Sequence, residues 1–284
     1  MGYSKVARDI SVKLGPVLAP VFHCLLRRMV FVVGFNKSAK STIVHNCLVP
    51  QSRLSVFPGE GNDVLWFRGF YPWADMNLNI APVWHDPERF IHEVLVSRKD
   101  GFREARSVLS IYQIIRAPTN FLLNDSGMLA ALLPDVMPVF PGAKVIHIVR
   151  DGRVVSSVAA KITFAMIKKN PEKYRSVGCP LNFYDIAEAK ARYWCWTLDR
   201  IRQIEESYPR KVLQVRYEDW CVKPEVTLIE IMNFIGLRNP PVMAWQKEEF
   251  QNLNEKELSD IPRELLYRIE KIQTSHLKRL GYKD

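Results

Sequence analysis

The chain has 284 residues, of which 48% are hydrophobic, and it carries a formal net charge of +10 with an isoelectric point near 9.4. This content is ample for a packed core, and the basic balance indicates an anionic partner: a nucleotide, a sulfated or phosphorylated substrate, a nucleic acid or a membrane surface. The five cysteines are scattered and never form a Cys-x-x-Cys pair, which excludes a zinc site of that kind and predicts a reduced, cytoplasmic protein.

The N-terminal segment from Val12 to Leu26 is apolar but too short to span a bilayer. We expect an amphipathic helix from Tyr3 to Arg28, kinked around Pro16 and Pro20, that packs on the body of the domain. Peripheral contact with a membrane surface stays open as the alternative, whereas a transmembrane segment is not expected.

A buried strand followed by a phosphate-binding loop is predicted from Met29 to Thr42. The run Met29-Val-Phe-Val-Val is typical of a parallel sheet covered on both faces, and Gly34 allows a tight exit from it. Amides, hydroxyls and ammonium groups follow at the start of a predicted helix, whose dipole favours an anion. The residues that carry these groups are Lys37, Ser38, Ala39, Lys40, Ser41 and Thr42.

Three interpretations of this loop are open. Read as Gly34-x-x-x-x-Ala39-Lys40-Ser41, it is a Walker A loop whose last glycine has become alanine. Read with Lys37 as the principal cation, it is a phosphate loop of a different type. In the third interpretation, lysines and serines simply occupy the first turn of an ordinary helix.

A second short strand is predicted from Leu54 to Phe57, and Pro58-Gly-Glu-Gly61 follows it. Ligands of open parallel sheets bind at the carboxyl ends of the strands, so Glu60 would face the same crevice as the first loop. The alternative for Glu60 is a solvated turn carboxylate. Residues 61–119 are expected to form an acceptor-side insertion, whose first part, residues 61–86, is aromatic and irregular and either walls an acceptor pocket or packs on the body.

Two further strands also end in polar turns. Phe121–Asn124 is followed by Asp125, and Lys144–Val149 is followed by Arg150-Asp-Gly-Arg153 and a helix, which again brings cations to the crevice edge. His147 lies inside the second of these strands and is interpreted as a satisfied core histidine.

Strand and helix patterns alternate along the whole chain. The last strand, Lys211–Tyr217, ends in Glu218-Asp219, and an amphipathic helix from Pro224 to Ile235 stops at Gly236. This alternation predicts an α/β fold: a P-loop-like parallel sheet flanked by helices on both faces. No internal repeat or linker divides the chain, so we expect a single domain over residues 1–284.

Three of these pieces together resemble one family. The Lys37 loop, the strand with its Arg-Asp-Gly-Arg turn, and Val212–Leu237 are similar in order and spacing to the sulfotransferases that use 3′-phosphoadenosine 5′-phosphosulfate (PAPS), most of all to protein-tyrosine and related bacterial sulfotransferases. The resemblance covers residues 29–60 and 120–237. It implies transfer of a sulfuryl group from PAPS to an acceptor hydroxyl or amine, with 3′,5′-adenosine bisphosphate (PAP) as product and no metal.

The resemblance also implies roles for individual residues. Lys37 would hold the 5′-phosphate and the oxygen that bridges it to sulfur, and Ser38 to Thr42 would grip the same phosphate. Arg150 and Ser157 would bind the 3′-phosphate, and Tyr217 would lie near the adenine. Glu60 matches the catalytic glutamate, the general base that takes the proton from the acceptor as its oxygen attacks sulfur in line.

Two departures from the family pattern concern charge. Asp125 stands where the resembling enzymes carry a lysine that reaches the sulfuryl oxygens, and a carboxylate there would repel them. Ala39 and Lys40 replace glycine and threonine in the loop, so we hypothesise that Lys40 supplies the missing cation. Whether Asp125 abolishes activity is not decided by the sequence.

Other functions stay open as alternatives. A P-loop kinase or NTPase would use Lys40 and Ser41 as Walker A residues and hold magnesium through Asp151, and a non-catalytic nucleotide-binding relative is compatible with Asp125. Nucleic-acid binding is not expected, because the basic residues are dispersed. The expected partner is a small-molecule or peptide acceptor, and the sequence predicts neither its identity nor the oligomeric state.

Overall fold

A parallel sheet organises the computed structural model, which describes residues 2–22, 28–51, 53–59, 62–67, 80–116, 121–237 and 251–283. Within these ranges the strands are β1 (Met29–Gly34), β2 (Leu54–Val56), β3 (Phe121–Asp125), β4 (Lys144–Val149) and β5 (Val212–Arg216). They lie in the order β2-β3-β1-β4-β5 and all run parallel. The loops after β1 and β4 therefore leave neighbouring strands at the same edge of the sheet.

Helices connect the strands. Those described are α1 (Gly2–Phe22), α2 (Lys40–Thr42), α3 (Pro87–Ser97), α4 (Arg103–Arg116), α5 (Leu133–Val136), α6 (Gly152–Lys169), α7 (Pro171–Arg175), α8 (Phe183–Ser207), α9 (Tyr217–Val222), α10 (Pro224–Ile235), α11 (Asn254–Ser259) and α12 (Arg263–Arg279). Wider π-helical turns continue α2 from Ile43 to Leu48. None of the helices in the described ranges has the length and apolar character needed to cross a bilayer.

Alternate residues of β1 enter two separate hydrophobic cores. Phe31 and Val33 pack on the face covered by α3, α4, α6, α8 and α12, whereas Val30 and Val32 pack on the face covered by α10 and by the turns after α2. A strand buried on both faces is what a sheet between two helical layers requires. The predicted fold class is confirmed.

Helix ends follow their sequence signals. The Asp86 carboxylate accepts a hydrogen bond of 3.1 Å from the Arg89 amide and caps α3, and Gly236, with a φ of 94°, ends α10 where predicted. The helix after β4 begins at Gly152, two residues before the predicted start, because the Asp151 side chain caps it by accepting from the Arg153 amide at 2.9 Å.

The N-terminal helix α1 lies against α4. Gly15 is buried, and a Cβ atom there would come within 2.3 Å of the Val108 side chain, so the two helices are in close contact. Residues 23–27 of the predicted helix lie outside the described residues. The division of the chain into one domain with an acceptor-side insertion stays a prediction.

Candidate functional site

The loop after β1 has an unusual backbone, with two residues other than glycine in the left-handed region. Lys37 and Ala39 have left-handed conformations, with φ of 71° and 64°, and the Ser38 amide donates to the Phe35 carbonyl at 3.1 Å. Alanine therefore occupies a position that favours glycine, the residue that stands there in the resembling loops. The Lys37 side chain is exposed, so its ammonium is free to meet a ligand.

Two glycines let the loop approach its neighbours. A Cβ atom on Gly34 would lie 2.6 Å from the Ile148 carbonyl oxygen, and one on Gly127 would lie 2.7 Å from the Gly34 carbonyl oxygen. Both separations are too short for a side chain. The loop is therefore held tightly between β4 and the 3₁₀ turns that follow β3.

Lys40 and Asp125 form a buried ion pair. The Asp125 carboxylate also lies 3.8 Å from His45 Nε2. The carboxylate that departs from the family pattern is therefore neutralised beside the loop. The hypothesis is that Lys40 supplies a cation to the ligand in place of the missing lysine. In the structure, the Lys40 ammonium instead neutralises the Asp125 carboxylate inside the protein.

Two buried serine hydroxyls at predicted ligand positions have no hydrogen-bond partner among the described residues. Ser38 Oγ lies in the loop and Ser157 Oγ lies in α6, and both side chains are 1% exposed. The neighbouring hydroxyl of Ser156 accepts from Gln273 Nε2 at 2.9 Å. Unpaired buried hydroxyls are rare, and phosphate oxygens would satisfy them, so both residues fit the nucleotide that the sequence predicts. The contrast between the two adjacent serines supports Ser157 rather than Ser156.

A cavity of about 370 Å³ opens on the loop. One wall is the loop itself, residues 36–42, and the opposite wall is a stripe on α6 that includes Ile162 and Met166. The remaining lining residues include Phe35, Gly127 and Lys190. The cavity has the size of a small-molecule site, cationic and polar on one side and apolar on the other.

Arg150 lies at the end of β4 and is 6% exposed. Its Nη1 donates to the Lys37 carbonyl at 2.9 Å and its Nε donates to Asn254 Oδ1 at 2.7 Å. Its Nη2 is paired with the Glu257 carboxylate. The guanidinium therefore links the phosphate loop to α11, although Arg150 does not line the large cavity.

Tyr217 is the first residue of α9 and lies directly against Arg150. The guanidinium carbon is 4.4 Å from the ring centroid, and the hydroxyl donates to the Gln251 carbonyl at 2.7 Å. Burial raises the pKa of the Tyr217 hydroxyl to about 12, so this group stays protonated at neutral pH. Arg150 and Tyr217 are thus in contact next to the loop, and their roles at the 3′-phosphate and the adenine stay predictions.

The second arginine of the turn points elsewhere. Arg153 Nη2 is 2.7 Å from the Asp151 carboxylate, and its Nη1 is 2.8 Å from Glu270. Arg153 is therefore engaged by two carboxylates of the protein and, like Arg150, does not line the cavity at the loop. Asp151 is also fully engaged, since it caps α6, which argues against the magnesium-dependent alternative. In the part of the chain described, no group of three His, Cys, Asp or Glu side chains is arranged to hold a metal ion.

The predicted catalytic position and part of the aromatic insertion are not among the described residues. Glu60 lies outside the described residues, as do Phe70, Tyr71 and Trp73 of the aromatic insertion. The insertion aromatics that are described, Trp66, Phe67 and Trp84, are buried in the main core. Of the two alternatives for the insertion, these three side chains follow the second and pack on the body of the domain.

Sequence reasoning missed three side chains of this region. Asn254 and Glu257 sit in a polar stretch without a motif, more than a hundred residues from the arginine that they contact. Lys190 left a detectable signal, because it falls between Ala187 and Trp194 on the apolar face of the long helix α8.

A parallel sheet with a phosphate-type loop after β1 and an arginine after the neighbouring strand β4 is the arrangement of an α/β fold suited to a nucleotide at the carboxyl ends of its strands. The model of the sulfotransferase family matches residues 29–241, which is most of the sequence. The chain therefore belongs to the sulfotransferase family. The predicted family and enzyme class are confirmed.

Solved structures share the fold. Sulfotransferase STF9 from Mycobacterium avium is 12% identical with a TM-score of 0.57, over 98% of this chain and 84% of that one. The sulfotransferase domain from the curacin biosynthetic pathway is 17% identical with a TM-score of 0.55, over 88% of this chain and 97% of that one. Sulfotransferase STF1 from Mycobacterium tuberculosis H37Rv is 12% identical with a TM-score of 0.56, over 95% of this chain and 81% of that one. No curated protein sequence matches the chain.

Proposed function

We propose that this protein transfers the sulfuryl group of PAPS to the hydroxyl or amine of an acceptor. The observation that carries the proposal is the hydrogen bond of 2.9 Å from Arg150 to the Lys37 carbonyl, which joins the two predicted phosphate-binding positions. One doubly phosphorylated adenosine could span them. Family membership and the unpaired hydroxyls of Ser38 and Ser157 support the same donor.

The roles of the residues follow from their positions. The loop amides, with Ser38, Ser41 and Thr42, would hold the 5′-phosphate, and Arg150, Ser157 and Tyr217 would hold the 3′-phosphate and the adenine. When bound, PAPS supplies an activated sulfuryl group on a phosphate leaving group. Lys37 would neutralise the charge that develops on that phosphate as the sulfur–oxygen bond breaks.

Proton removal from the acceptor is assigned to Glu60 through the family resemblance. As the acceptor oxygen attacks sulfur, Glu60 would take its proton, so that the products are the sulfated acceptor and PAP. The reaction is mainly a matter of positioning and charge stabilisation and needs no metal. The apolar wall around Ile162 and Met166 favours an acceptor with an apolar body, either a small molecule or a peptide side chain.

The test is sulfate transfer itself. Purified protein is incubated with sulfur-labelled PAPS and a cell extract as the source of acceptors, and labelled products are separated. We expect product, and a loss of about 10²- to 10³-fold in the Glu60→Gln and Lys37→Met variants. Lys161→Met, at an exposed position of α6, is the control and should keep the rate. Donor binding without transfer to any acceptor would instead identify a non-catalytic relative.

A further inference from the structure

Lys190 contributes a buried amine to the cavity that the phosphate loop forms. It lies in the middle of α8, is 3% exposed, and lines the same cavity as residues 36–42. Lysine is almost never fully buried without a partner, because its chain normally carries the ammonium out to water. The burial of Lys190 in this cavity therefore needs a physical explanation.

The Lys190 amine lies against an aromatic ring. Its Nζ lies 4.4 Å from the centroid of the Trp84 ring, and within the described ranges no carboxylate comes within ion-pair distance of it. An indole ring favours a cation only weakly compared with a carboxylate. The other buried lysine of the cavity, Lys40, differs in this respect because Asp125 neutralises it.

The elements packed around Lys190 add few titratable groups. The nearest is the Cys179 thiol, whose own pKa burial raises to about 12, so it stays neutral. The α6 wall presents Ala159, Ile162, Thr163 and Met166, and the 3₁₀ turns from Gly127 to Leu132 carry no titratable side chain. On α8 itself, Glu188 is engaged by Arg192 and Arg268. Among the described lining residues, the other charged side chains are Lys37 and Lys40, and Lys40 is paired with Asp125.

We propose that Lys190 is a further binding residue of this site, and that its amine contacts the sulfuryl end of the donor whose 5′-phosphate the loop holds. This inference rests on the proposed function. An anion at the loop is the missing counter-charge for a buried lysine in the same cavity. Lys190 would also approach this anion from α8, whereas Lys40, which lines the same cavity, is neutralised by Asp125.

Contact between the Lys190 amine and the sulfuryl group would change the protonation of that amine. Burial lowers the pKa of Lys190 to about 7 in the empty site, so at pH 8 most molecules carry a neutral amine. A bound sulfuryl anion raises that pKa, and the amine then takes up a proton from solution. At pH 8 we expect an uptake of about 0.9 proton for each PAPS bound, since the change runs from a mainly neutral to a charged group.

Calorimetric titration with PAPS at pH 8, in buffers of different ionisation enthalpy, measures this uptake. Lys190→Met should abolish it and weaken PAPS binding by roughly 10- to 100-fold, whereas PAP, which lacks the sulfuryl group, should lose far less. Lys190→Arg should keep the affinity within a few-fold but take up no proton. Lys144→Met is the matched control: burial also lowers the pKa of Lys144, but it begins β4 at the opposite edge of the sheet.

The outcomes separate this inference from the proposed function. Failure of the wild-type protein to bind PAPS overturns both. Tight PAPS binding without proton uptake, or the same uptake in Lys190→Met, overturns only the role of Lys190. Uptake that disappears in both Lys190 variants and persists in Lys144→Met supports it. A melting temperature for each variant verifies that the protein under test is folded.

Discussion

Arg150 donates a hydrogen bond of 2.9 Å from its Nη1 to the carbonyl oxygen of Lys37, so the end of β4 is tied directly to the phosphate loop after β1. These strands are neighbours, and their register pairs Gly34 with Ile148. Lys37 and Arg150 are more than a hundred residues apart in sequence. The hydrogen bond and the strand pairing therefore place these two cationic residues side by side at one edge of the sheet.

Glu257 would compete with a 3′-phosphate for Arg150. The pair of Arg150 with the Glu257 carboxylate occupies the guanidinium that would bind a 3′-phosphate. In the Glu257→Gln variant we expect PAP to bind about fivefold more tightly, because a partly exposed ion pair of about 1 kcal/mol no longer has to be broken. Calorimetry measures the change, with Glu255→Gln on the exposed side of α11 as control. Unchanged or weaker binding by Glu257→Gln would show that the pair helps to form the site.

The buried pair of Lys40 and Asp125 should matter mainly for stability. Asp125→Ala leaves the buried ammonium without its carboxylate, and we expect a loss of about 3–5 kcal/mol in the free energy of unfolding. The double variant Lys40→Met with Asp125→Leu should lose much less, since both charges are removed. Urea denaturation measures both variants, and Glu172→Ala, which removes an exposed pair with Arg175, is the control. Equal losses for the single and double variants would mean that the charges are not coupled.

Ala39 holds the loop in a conformation that disfavours its own side chain. With a φ of 64°, the residue is left-handed, which costs roughly 1–2 kcal/mol for an L-residue other than glycine. Ala39→Gly should therefore stabilise the fold by up to about 1 kcal/mol, after the entropy of glycine in the unfolded chain is included. Ala165→Gly, exposed within α6, should destabilise by about 1 kcal/mol. A destabilised Ala39→Gly variant in the same urea titration would contradict the observed backbone.

His147 makes stability depend on pH. The sequence suggests a satisfied core histidine; it is a core residue, but its Nδ1 has no hydrogen-bond partner within the described part. Burial lowers its pKa from 6.5 to about 3, so below pH 6.5 the unfolded chain binds a proton that the native state refuses. Stability should fall with decreasing pH between about 6.5 and 3, by up to about 1.4 kcal/mol per unit from this group.

A variant isolates that contribution. His147→Leu should flatten the fall in unfolding free energy below pH 6.5, whereas His92→Leu, at an exposed position of α3, should leave it unchanged. Urea denaturation at a series of pH values measures both. If His147→Leu kept the wild-type slope, a different group would be responsible.

Much of the fold could be predicted because its signals are local. The strand at Met29 is a continuous apolar run that leads into Gly34, and α10 is bounded by Pro224 and Gly236, so each element carries its own start and stop. The phosphate loop is likewise contiguous in sequence. Arg150 could be assigned to the same crevice because parallel strands end at one edge.

The remaining features depend on contacts between distant parts of the chain. No pattern around Glu257 indicates that its carboxylate meets Arg150, because α11 is a short polar helix like many surface helices. The ion pair of Lys40 with Asp125 joins a loop to a strand end, and only the order β3-β1 in the sheet brings them together. Lys190 is the exception, since a lysine on the apolar face of α8 is a visible anomaly.

The central claim is that the Lys37 loop and Arg150 hold opposite ends of one doubly phosphorylated adenosine, and calorimetric titration with PAP in the absence of magnesium tests it most directly. We predict that the wild-type protein binds PAP without magnesium and binds ATP poorly, and that Lys37→Met and Arg150→Met each weaken PAP binding. A preference for magnesium-bound ATP, or PAP binding that Arg150→Met leaves unchanged, would contradict the claim.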